Sequence, residues 1–366
     1  MIKRIHSFVF LFICLLSQAV TAQKLKPGFD KEEYKQMMYI SARTGGSNPE
    51  YYAHIPAPDY RMVYRSAPMG LDNLWDFWIS NSGDVAVISL RGTTQKAESW
   101  VNNFYAAMVP AKGSLELSGT ERFDYELSTD PRAAVHVGWL LSTGYLSKDI
   151  MPKLDSVYRS GIKQVVIMGH SQGGAIAYLV TAYFYNLQSK GLLPADIRFK
   201  TYCSAGPKPG NLYFAYDYES KTQAGWAYNV VNAADWVPET PMSIQTLNDF
   251  NVVNPFKDAK KMIRKQPFLQ RTVLNYMFNK LERPTRKAQR NYERFLGRKT
   301  AGLVQKSLKE FKAPQYYHSN DYVRTGAYIV LYPDADYFTK YPNVNQTNVF
   351  INHLHEPYLY LLDKLK

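Results

Sequence analysis

The sequence predicts an α/β protein in which a mostly parallel sheet carries helices on both faces. Short apolar runs alternate along the chain with longer segments of helical periodicity, the pattern expected of strands joined by crossover helices. Hydrophobic residues make up 46% of the 366 residues and charged residues 20%, a balance that excludes a disordered or collagen-like chain. No stretch after residue 25 reaches the roughly 18 consecutive apolar residues of a membrane-spanning helix.

Each element is predicted from a local pattern. Two apolar runs on either side of the turn sequence Asn81-Ser82-Gly83-Asp84 predict a hairpin. A short run rich in β-branched residues at 164–168 predicts a buried strand. Helical periodicity that stops at Gly161 and at Gly191 predicts two helices, because glycine commonly ends a helix. In chain order the predicted elements are a helix near 31–40, strands at 75–79 and 85–90, a helix at 139–158, a strand at 164–168, a helix at 174–190, strands at 197–203, 228–231 and 327–331, and a terminal helix at about 354–364.

The N-terminus has the pattern of a secretory signal peptide. Lys3 and Arg4 are followed by an apolar run at 8–16, which is too short to span a bilayer, and then by small residues at the expected cleavage position. We expect residues 1–22 to be removed and the mature chain, 23–366, to form a single domain in a secreted or periplasmic location. A membrane anchor at the N-terminus is the alternative.

The two cysteines exclude an intramolecular disulfide in the mature chain. Cys14 lies in the signal peptide, and it lacks the small residue directly before it that lipoprotein processing requires, so a lipid anchor is not expected. Its removal leaves only Cys203, so the core must stabilise the fold without a covalent link. Cys203 lies in an apolar run, which indicates a buried structural thiol.

The basic character of the chain is concentrated in one segment. The net charge is +13, and residues 257–312 contain 17 Lys and Arg against 4 Asp and Glu. Apolar residues recur there at helical spacing, and Pro284 predicts a break between two helices. The segment is interpreted as a helical insertion at about 250–315 that either packs its apolar face on the body or contacts a membrane or lipid-droplet surface. No nucleic-acid-binding motif accompanies the charge, so no nucleic-acid partner is expected.

The strongest motif is Gly169-His170-Ser171-Gln172-Gly173, which is followed by a further glycine. A strand is predicted before it and a helix after it, the context in which G-x-S-x-G forms a sharp turn that exposes a serine hydroxyl. The two motif glycines remove side chains that would collide at the turn. The helix start presents free N–H groups and the positive end of its dipole to developing negative charge. We interpret Ser171 as a nucleophile; the alternative is a glycine-rich turn with a solvent-facing serine.

Together with this motif, several segments in the same order resemble the class 3 lipases, the fungal-type triacylglycerol lipase family of the α/β-hydrolases. The resemblance spans about 75–241 and 316–362 and leaves out the lead-in and the basic insertion. It implies the α/β-hydrolase fold and the hydrolysis of carboxylic esters. The segments are Arg91-Gly92-Thr93-Thr94 at a strand end, Ser99-Trp100, Val135-His136-Val137-Gly138-Trp139, Gly206-Pro207-Lys208-Pro209-Gly210-Asn211 and Asn232-Ala233-Ala234-Asp235-Trp236-Val237-Pro238.

The resemblance implies an oxyanion hole made by the N–H groups of Gln172 and Thr93, with help from the Thr93 hydroxyl; Thr94 is the neighbouring alternative. The family usually has leucine at the position of Gln172, a departure that matters little because the main-chain N–H acts. It usually has an aspartate where this chain has Asn102 and Asn103, which leaves the support of the threonine open.

An acid and a base complete the predicted site. Asp235 follows a predicted strand, where a carboxylate can orient a histidine behind the nucleophile, whereas Asp196 precedes a strand and lies at the wrong end of the sheet. In this chain order the base is a histidine beyond Asp235. His318 precedes a strand and would lie at the wrong edge. The family's closing pattern, a histidine five residues before a tyrosine, favours His353, with His355 as the alternative.

These residues predict a secreted serine carboxylester hydrolase that works through Ser171, His353 and Asp235 and an acyl-enzyme. An acylglycerol substrate is implied by the resemblance alone. The nearest alternatives are a phospholipase A1 and a carbohydrate-ester esterase, and the rival from another class is a non-catalytic binder of anionic membranes or polymers. Neither a metal nor a cofactor is expected, because metal-ligand spacings and P-loop or dinucleotide patterns are absent from the sequence. The insertion is hypothesised to form a lid or a lipid-docking element.

Overall fold

The structure, a computed structural model, describes residues 25–46, 48–343 and 348–366. The predicted signal peptide, 1–22, lies outside these ranges. The helices are α1 (Lys31–Arg43), α2 (Pro49–Tyr52), α3 (Ala97–Phe104), α4 (Val137–Arg159), α5 (Gln172–Ser189), α6 (Leu212–Thr222), α7 (Ala259–Arg264), α8 (Phe268–Glu293), α9 (Thr300–Ser307), α10 (Ala335–Lys340) and α11 (His355–Lys364). The strands are β1 (Tyr60–Arg65), β2 (Trp75–Ser80), β3 (Val85–Leu90), β4 (Met108–Pro110), β5 (Lys112–Glu116), β6 (Arg122–Glu126), β7 (Ala134–His136), β8 (Gln164–His170), β9 (Arg198–Ser204), β10 (Ala227–Asn232) and β11 (Ala327–Leu331).

The main sheet of the described chain has seven strands in the order β1-β2-β3-β8-β9-β10-β11. β1, β2 and β3 pair antiparallel, and from β3 to β11 all neighbours pair parallel. The predicted mostly parallel sheet is therefore confirmed. Because the carboxyl ends of parallel strands meet at one edge of a sheet, the residues that follow β3, β8 and β10 lie at that edge.

Helices cover both faces of this sheet, as predicted. α4 and α5 pack on one face around a core that includes Trp75 and Trp139, and α1 and α11 cover the other face around Tyr34 and Tyr202. All seven residues of β8 are buried, as expected for a central strand that is covered on both sides. Cys203, in β9, is buried and free, in agreement with its interpretation as a structural thiol.

The predicted strands and helices of the body are present, with ends that differ by three residues at most. Two small sheets, β4 with β7 and β5 with β6, were not predicted. β4 and β7 have only three residues each, and β5 and β6 contain several exposed positions, so their sequences lack the length or the apolar character of the predicted strands. Pairing between distant residues, rather than local preference, forms these strands.

The basic insertion lies between β10 and β11 and divides into two parts. None of the residues 251–288, here called the arm, is buried, and they comprise α7 and most of α8. The part that follows packs on the body, where Ala301, Val304 and Phe311 join the main core and Tyr292 joins a smaller cluster. The interpretation that the apolar face packs on the body therefore holds for the second part and is wrong for the arm.

α8 runs through Pro284 without interruption, so the predicted break between two helices is wrong. Proline removes the one hydrogen bond that its N–H would have donated to the carbonyl of Lys280. Both residues are exposed, so water can hydrate that carbonyl and the helix continues. In the described ranges no helix combines the length and the apolar character needed to cross a membrane.

His136 precedes α4 and acts as its N-terminal cap. Its Nδ1 accepts a hydrogen bond from the Trp139 N–H at 3.2 Å, so its Nε2 carries the proton and donates to the Asn103 carbonyl at 3.1 Å. The imidazole stacks on the Trp139 ring with centroids 3.7 Å apart. Burial lowers the pKa of His136 to about 3, so the ring is neutral in the folded protein at neutral pH.

The substitution His136→Asn tests the energetic effect of this burial. Below the ordinary pKa of 6.5, His136 binds a proton in the unfolded chain, whereas in the folded chain it stays neutral down to about pH 3. The free energy of unfolding therefore falls as the pH falls through this window. One such group changes the free energy of unfolding by about 1.4 kcal/mol per pH unit. Asparagine keeps an acceptor for the helix cap but does not titrate. The free energy of unfolding, measured with urea from about pH 4 to about pH 6, should therefore change less steeply with pH in the variant, by roughly this amount per pH unit.

Above about pH 7 the histidine is neutral in both states, so the stability curves of the two proteins should run parallel there and serve as the internal control. Curves that stay parallel down to about pH 4 would contradict the assignment of a buried neutral His136.

Candidate active site

Ser171 occupies a sharp turn between β8 and α5. Its backbone has φ 61° and ψ −131°, a conformation that side chains other than glycine rarely adopt. A Cβ at Gly169 would lie 2.1 Å from the Gly173 carbonyl oxygen, and one at Gly173 would lie 2.2 Å from the Leu90 carbonyl oxygen. The glycines of the motif are thus required by backbone contacts on both sides of the turn, and the Ser171 N–H is held by the Ser204 carbonyl at 2.9 Å.

Asp235 lies buried after β10 and binds three donors. Its Oδ2 accepts hydrogen bonds from His353 Nδ1 and from the Tyr358 hydroxyl, each at 2.7 Å, and its Oδ1 accepts the Val237 N–H at 3.0 Å. Burial, followed by the charge of Asp235, raises the pKa of Tyr358 well above its usual range, so this phenol remains a donor. In the sequence Tyr358 served only to identify His353, five residues before it, and the contact of Tyr358 with Asp235 was missed.

The structure separates the candidate bases. His353 reaches Asp235 through Nδ1, and its Nε2 is buried without a hydrogen-bond partner among the described residues. His355 instead binds the Tyr51 hydroxyl through Nδ1 at 2.8 Å and the Ser41 hydroxyl through Nε2 at 3.1 Å, and burial lowers its pKa to about 3. His318 is exposed beside Glu293 of α8, and Asp196 pairs with Lys163 at the surface. The geometry thus brings His353 together with Asp235 and gives the alternatives other partners.

His170 holds the main chain of His353. Its Nε2 lies 2.7 Å from the His353 carbonyl, which can only accept, so Nε2 carries the proton. Nδ1 must then accept from the Ser204 hydroxyl at 2.9 Å, which leaves the Tyr34 hydroxyl to donate to Ser204 at 2.7 Å. Burial, followed by the neighbouring His355 and His353, lowers the pKa of His170 well below its usual value, which keeps this direction fixed. In the sequence His170 stands out only as part of the G-x-S-x-G motif, and its contacts with His353 and Ser204 were missed.

Thr93 follows β3 and passes close to the nucleophile turn. A Cβ added at the preceding Gly92 would lie 3.4 Å from Ser171 Cβ. The Thr93 hydroxyl oxygen accepts from Asn103 Nδ2 at 2.9 Å, and Asn103 Oδ1 accepts from Trp139 Nε1 at 3.0 Å. Since the indole N–H fixes the orientation of the amide, the hydroxyl proton of Thr93 stays free to be donated.

The neighbouring candidates have other partners. The Thr94 hydroxyl donates to Asp72 at 2.7 Å, and Asn102 donates to Ser142 at 2.6 Å. Of the two asparagines at the family's aspartate position, Asn103 is therefore the one that supports Thr93. The sequence left this support open because which asparagine faces the threonine depends on how α3 packs on α4.

Gln172 is the first residue of α5, and its N–H is one of the free donors at a helix start. Its buried side chain points to α3, where Nε2 donates to the Ser99 carbonyl at 3.2 Å and Oε1 lies 3.3 Å from the Ser99 hydroxyl. These contacts explain how a polar side chain replaces the leucine that is usual in the family.

A cavity of about 1160 Å³ connects these groups. Ser171, His353, Thr93 and Gln172 line it together. Its remaining wall is largely apolar and aromatic, a surface suited to an extended hydrocarbon chain. The apolar lining includes Trp100, Phe104, Trp236, Met242, Tyr292, Leu296 and Phe350. Across the described ranges, no group of three or more His, Cys, Asp and Glu side chains is arranged to hold a metal ion.

Comparison with known families gives a match to the lipase (class 3) model over residues 87–244. This segment, less than half of the chain, is similar to the class 3 lipases. The matched segment includes Thr93, Ser171, Gln172 and Asp235, and it stops before the arm and before His353. The match confirms the predicted resemblance over these residues, and the seven-stranded sheet agrees with the α/β-hydrolase fold that the resemblance implies.

Solved structures of fungal lipases are similar to this chain in part. The lipase of Rhizomucor miehei in its propeptide complex is 22% identical with a TM-score of 0.42, over 59% of this chain and 65% of that one. The lipase of Rhizopus microsporus var. chinensis is 23% identical with a TM-score of 0.42, over 58% and 69%. The Lip2 lipase of Yarrowia lipolytica is 19% identical with a TM-score of 0.44, over 59% and 76%. No curated protein matches this chain.

The substitution Tyr358→Phe tests the support of the acid. It removes one of the three hydrogen bonds to Asp235, and a hydrogen bond to a charged group contributes about 1.5–3 kcal/mol. We expect kcat on a soluble nitrophenyl ester to fall roughly tenfold with little change in KM, because the histidine is less well oriented. The matched control is Tyr178→Phe, which removes an equally buried hydroxyl that binds the Thr325 carbonyl away from the cavity. Equal kcat values for the two variants would contradict the role of Tyr358.

Proposed function

We propose that this protein is a serine carboxylester hydrolase that uses Ser171, His353 and Asp235. The contact that carries the proposal is the 2.7 Å hydrogen bond from His353 Nδ1 to Asp235. It leaves the opposite nitrogen, Nε2, unpaired on a residue that lines the same cavity as Ser171. A hydroxyl, an imidazole with one free nitrogen and a buried carboxylate form the arrangement that activates a serine.

Each group has one task in the proposed reaction. Ser171 attacks the ester carbonyl while His353 Nε2 accepts its proton and later delivers it to the leaving alcohol. Asp235 keeps the proton on Nδ1 and stabilises the charged imidazolium that forms. The N–H groups of Gln172 and Thr93, with the Thr93 hydroxyl, stabilise the oxyanion of the tetrahedral intermediate. Water then attacks the acyl-enzyme by the same steps and releases the carboxylic acid.

The proposed substrate is an acylglycerol. The apolar and aromatic wall of the cavity favours a long acyl chain, which would exclude water from the reacting carbonyl. A phospholipase A1 would use the same acyl subsite, so it remains the first alternative, followed by a carbohydrate-ester esterase. The reaction needs no metal or cofactor in this scheme. We further propose that the mature chain, 23–366, is one domain and that it acts outside the cytoplasm, as the predicted signal peptide implies.

A non-catalytic binder of anionic membranes or polymers is the second candidate. The charge of the arm favours it, but binding alone gives no reason for the hydrogen bonds that Asp235 and His170 make to His353. The two functions are also compatible, since the arm and the cavity are different parts of the molecule.

The triad proposal is tested with nitrophenyl esters of short to long acyl chains. We expect Ser171→Ala to lower kcat/KM by at least about a thousandfold, and His353→Asn by a similar factor, because each removes a group that acts in the transition state. His318→Asn is the matched control, since this histidine is exposed and lies outside the cavity. Hydrolysis that survives Ser171→Ala would refute the proposal. The chain-length profile of the wild type would separate a lipase from an esterase.

We also propose that the basic segment 257–312 contacts a lipid surface. None of the arm residues, 251–288, lines the cavity, so of the two hypotheses for the insertion the geometry favours lipid docking over a closed lid. The arm can be removed without loss of core because none of its residues is buried.

Replacement of residues 255–286 by a Gly-Ser linker tests this contact. We expect hydrolysis of long-chain lipid emulsified with an anionic phospholipid to fall by about tenfold or more, since the enzyme would no longer be held at the surface. Hydrolysis of a soluble short-chain ester should stay within about twofold of the wild type, because the cavity is untouched. Equal loss on both substrates would contradict the lipid-contact role.

A further inference from the structure

α8 exposes a continuous apolar stripe. Leu269, Val273, Tyr276, Met277 and Leu281 recur at the spacing that places side chains on one helix face. Their exposed fractions lie between 52% and 76%. A surface helix normally buries such a stripe against the body.

The arm leaves this stripe without a partner in the described chain. The elements that α8 contacts most are α7 and the π-helical turn Arg294–Lys299 that continues it. α7 is itself exposed and contains no buried residue. An exposed apolar surface of this length is an interaction site in a folded protein, because water would otherwise hydrate it at a free-energy penalty.

The arm is also strongly cationic. It contains ten Lys and Arg against two Asp and Glu. Arg286 pairs with Glu282, while the other nine cations have no ion-pair partner within the part of the chain that the structure describes. Four of them, Lys260, Lys261, Arg264 and Lys265, lie together on or next to α7. The surface that binds the arm must therefore supply negative charge as well as an apolar interior.

Residues on both sides of the arm line the cavity. Met242, which precedes the arm, and Tyr292 and Leu296, which follow it, line the cavity wall. The rim also exposes apolar side chains, among them Phe104 and Trp236. A surface bound by the arm would thus lie close to the entrance of the cavity.

We propose that the arm docks on an anionic phospholipid bilayer, with its apolar stripe inserted among the acyl chains and its cations on the phosphate headgroups. A neutral oil droplet would offer no charge to the nine unpaired cations. An acidic polymer would leave the stripe in water. A second copy of the chain would bring two sets of like charges together. An anionic bilayer satisfies both the stripe and the cations. The proposal rests on the proposed function only for its consequence, the delivery of ester substrate to the cavity.

Co-sedimentation with lipid vesicles tests the docking. The mature full chain carrying Ser171→Ala is used so that the lipid stays intact. One vesicle is phosphatidylcholine alone, and the other contains about 30% phosphatidylglycerol. We expect binding to the anionic vesicle to be at least about tenfold stronger and to weaken as salt is added.

Vesicle binding is compared between two variants of the arm and two control variants of the body. The charge variant replaces Lys260, Lys261, Arg264 and Lys265 by Gln, and the apolar variant replaces Leu269, Val273 and Met277 by Ser. Their controls replace four ion-paired body lysines, Lys112, Lys148, Lys163 and Lys190, by Gln and two exposed body residues, Leu192 and Tyr332, by Ser. Each arm variant should lose anionic-vesicle binding by about tenfold or more, and each control should keep it.

Several outcomes would overturn the proposal. They are the absence of binding to the anionic vesicle, equal binding to both vesicles, or binding that survives both arm variants. A dimer without lipid that the apolar variant dissociates would assign the stripe to a second copy instead. Measured without Ser171→Ala, the arm variants should hydrolyse a soluble ester as the wild type does. A wild type that hydrolyses no ester would refute the proposed function and leave the docking result standing.

Discussion

The backbone turn at Ser171 is the constraint on which the rest of the site depends. The positive φ of this residue is held by its N–H bond to Ser204 and by close contacts that exclude side chains at Gly169 and Gly173. These contacts pack the ends of β3 and β8 against the start of α5, backbone on backbone. One point in space therefore receives the serine hydroxyl, the N–H of Gln172 and the loop that carries Thr93.

Around this turn, buried polar side chains fix one another in a single orientation. Tyr358 and Val237 hold Asp235, His170 holds the carbonyl of His353, and Asn103 holds Thr93. The orientation of each side chain is fixed by its second contact. His170 Nε2 must donate because the His353 carbonyl can only accept, and the amide of Asn103 is oriented by the Trp139 N–H. Buried hydrogen bonds of this kind resist reorientation, so the proposed catalytic groups are organised before a substrate arrives.

The arm differs from the body in burial and in charge. The body is stabilised by apolar burial on both faces of the sheet, whereas the arm contributes no buried residue and gathers unpaired positive charge beside an exposed apolar stripe. These features are the basis for the proposal that the arm makes contacts outside the chain. Because residues before and after the arm line the cavity, a surface bound by the arm would lie near the reacting ester.

Sequence alone determined the features that depend on neighbours along the chain. The alternation of strands and helices, the turn around Ser171 and the placement of Asp235 after a strand follow from local patterns and family motifs. The family's closing pattern favoured His353 but left His355 open. The tertiary structure alone decided between these two histidines, showed that Asn103 rather than Asn102 supports Thr93, and left the arm part of α8 without a packing partner among the described residues. The sequence could not give these because each depends on packing between residues far apart, such as Asp235 and His353, which are 118 positions apart in the chain. Local preference does not encode which side chains such packing brings into contact.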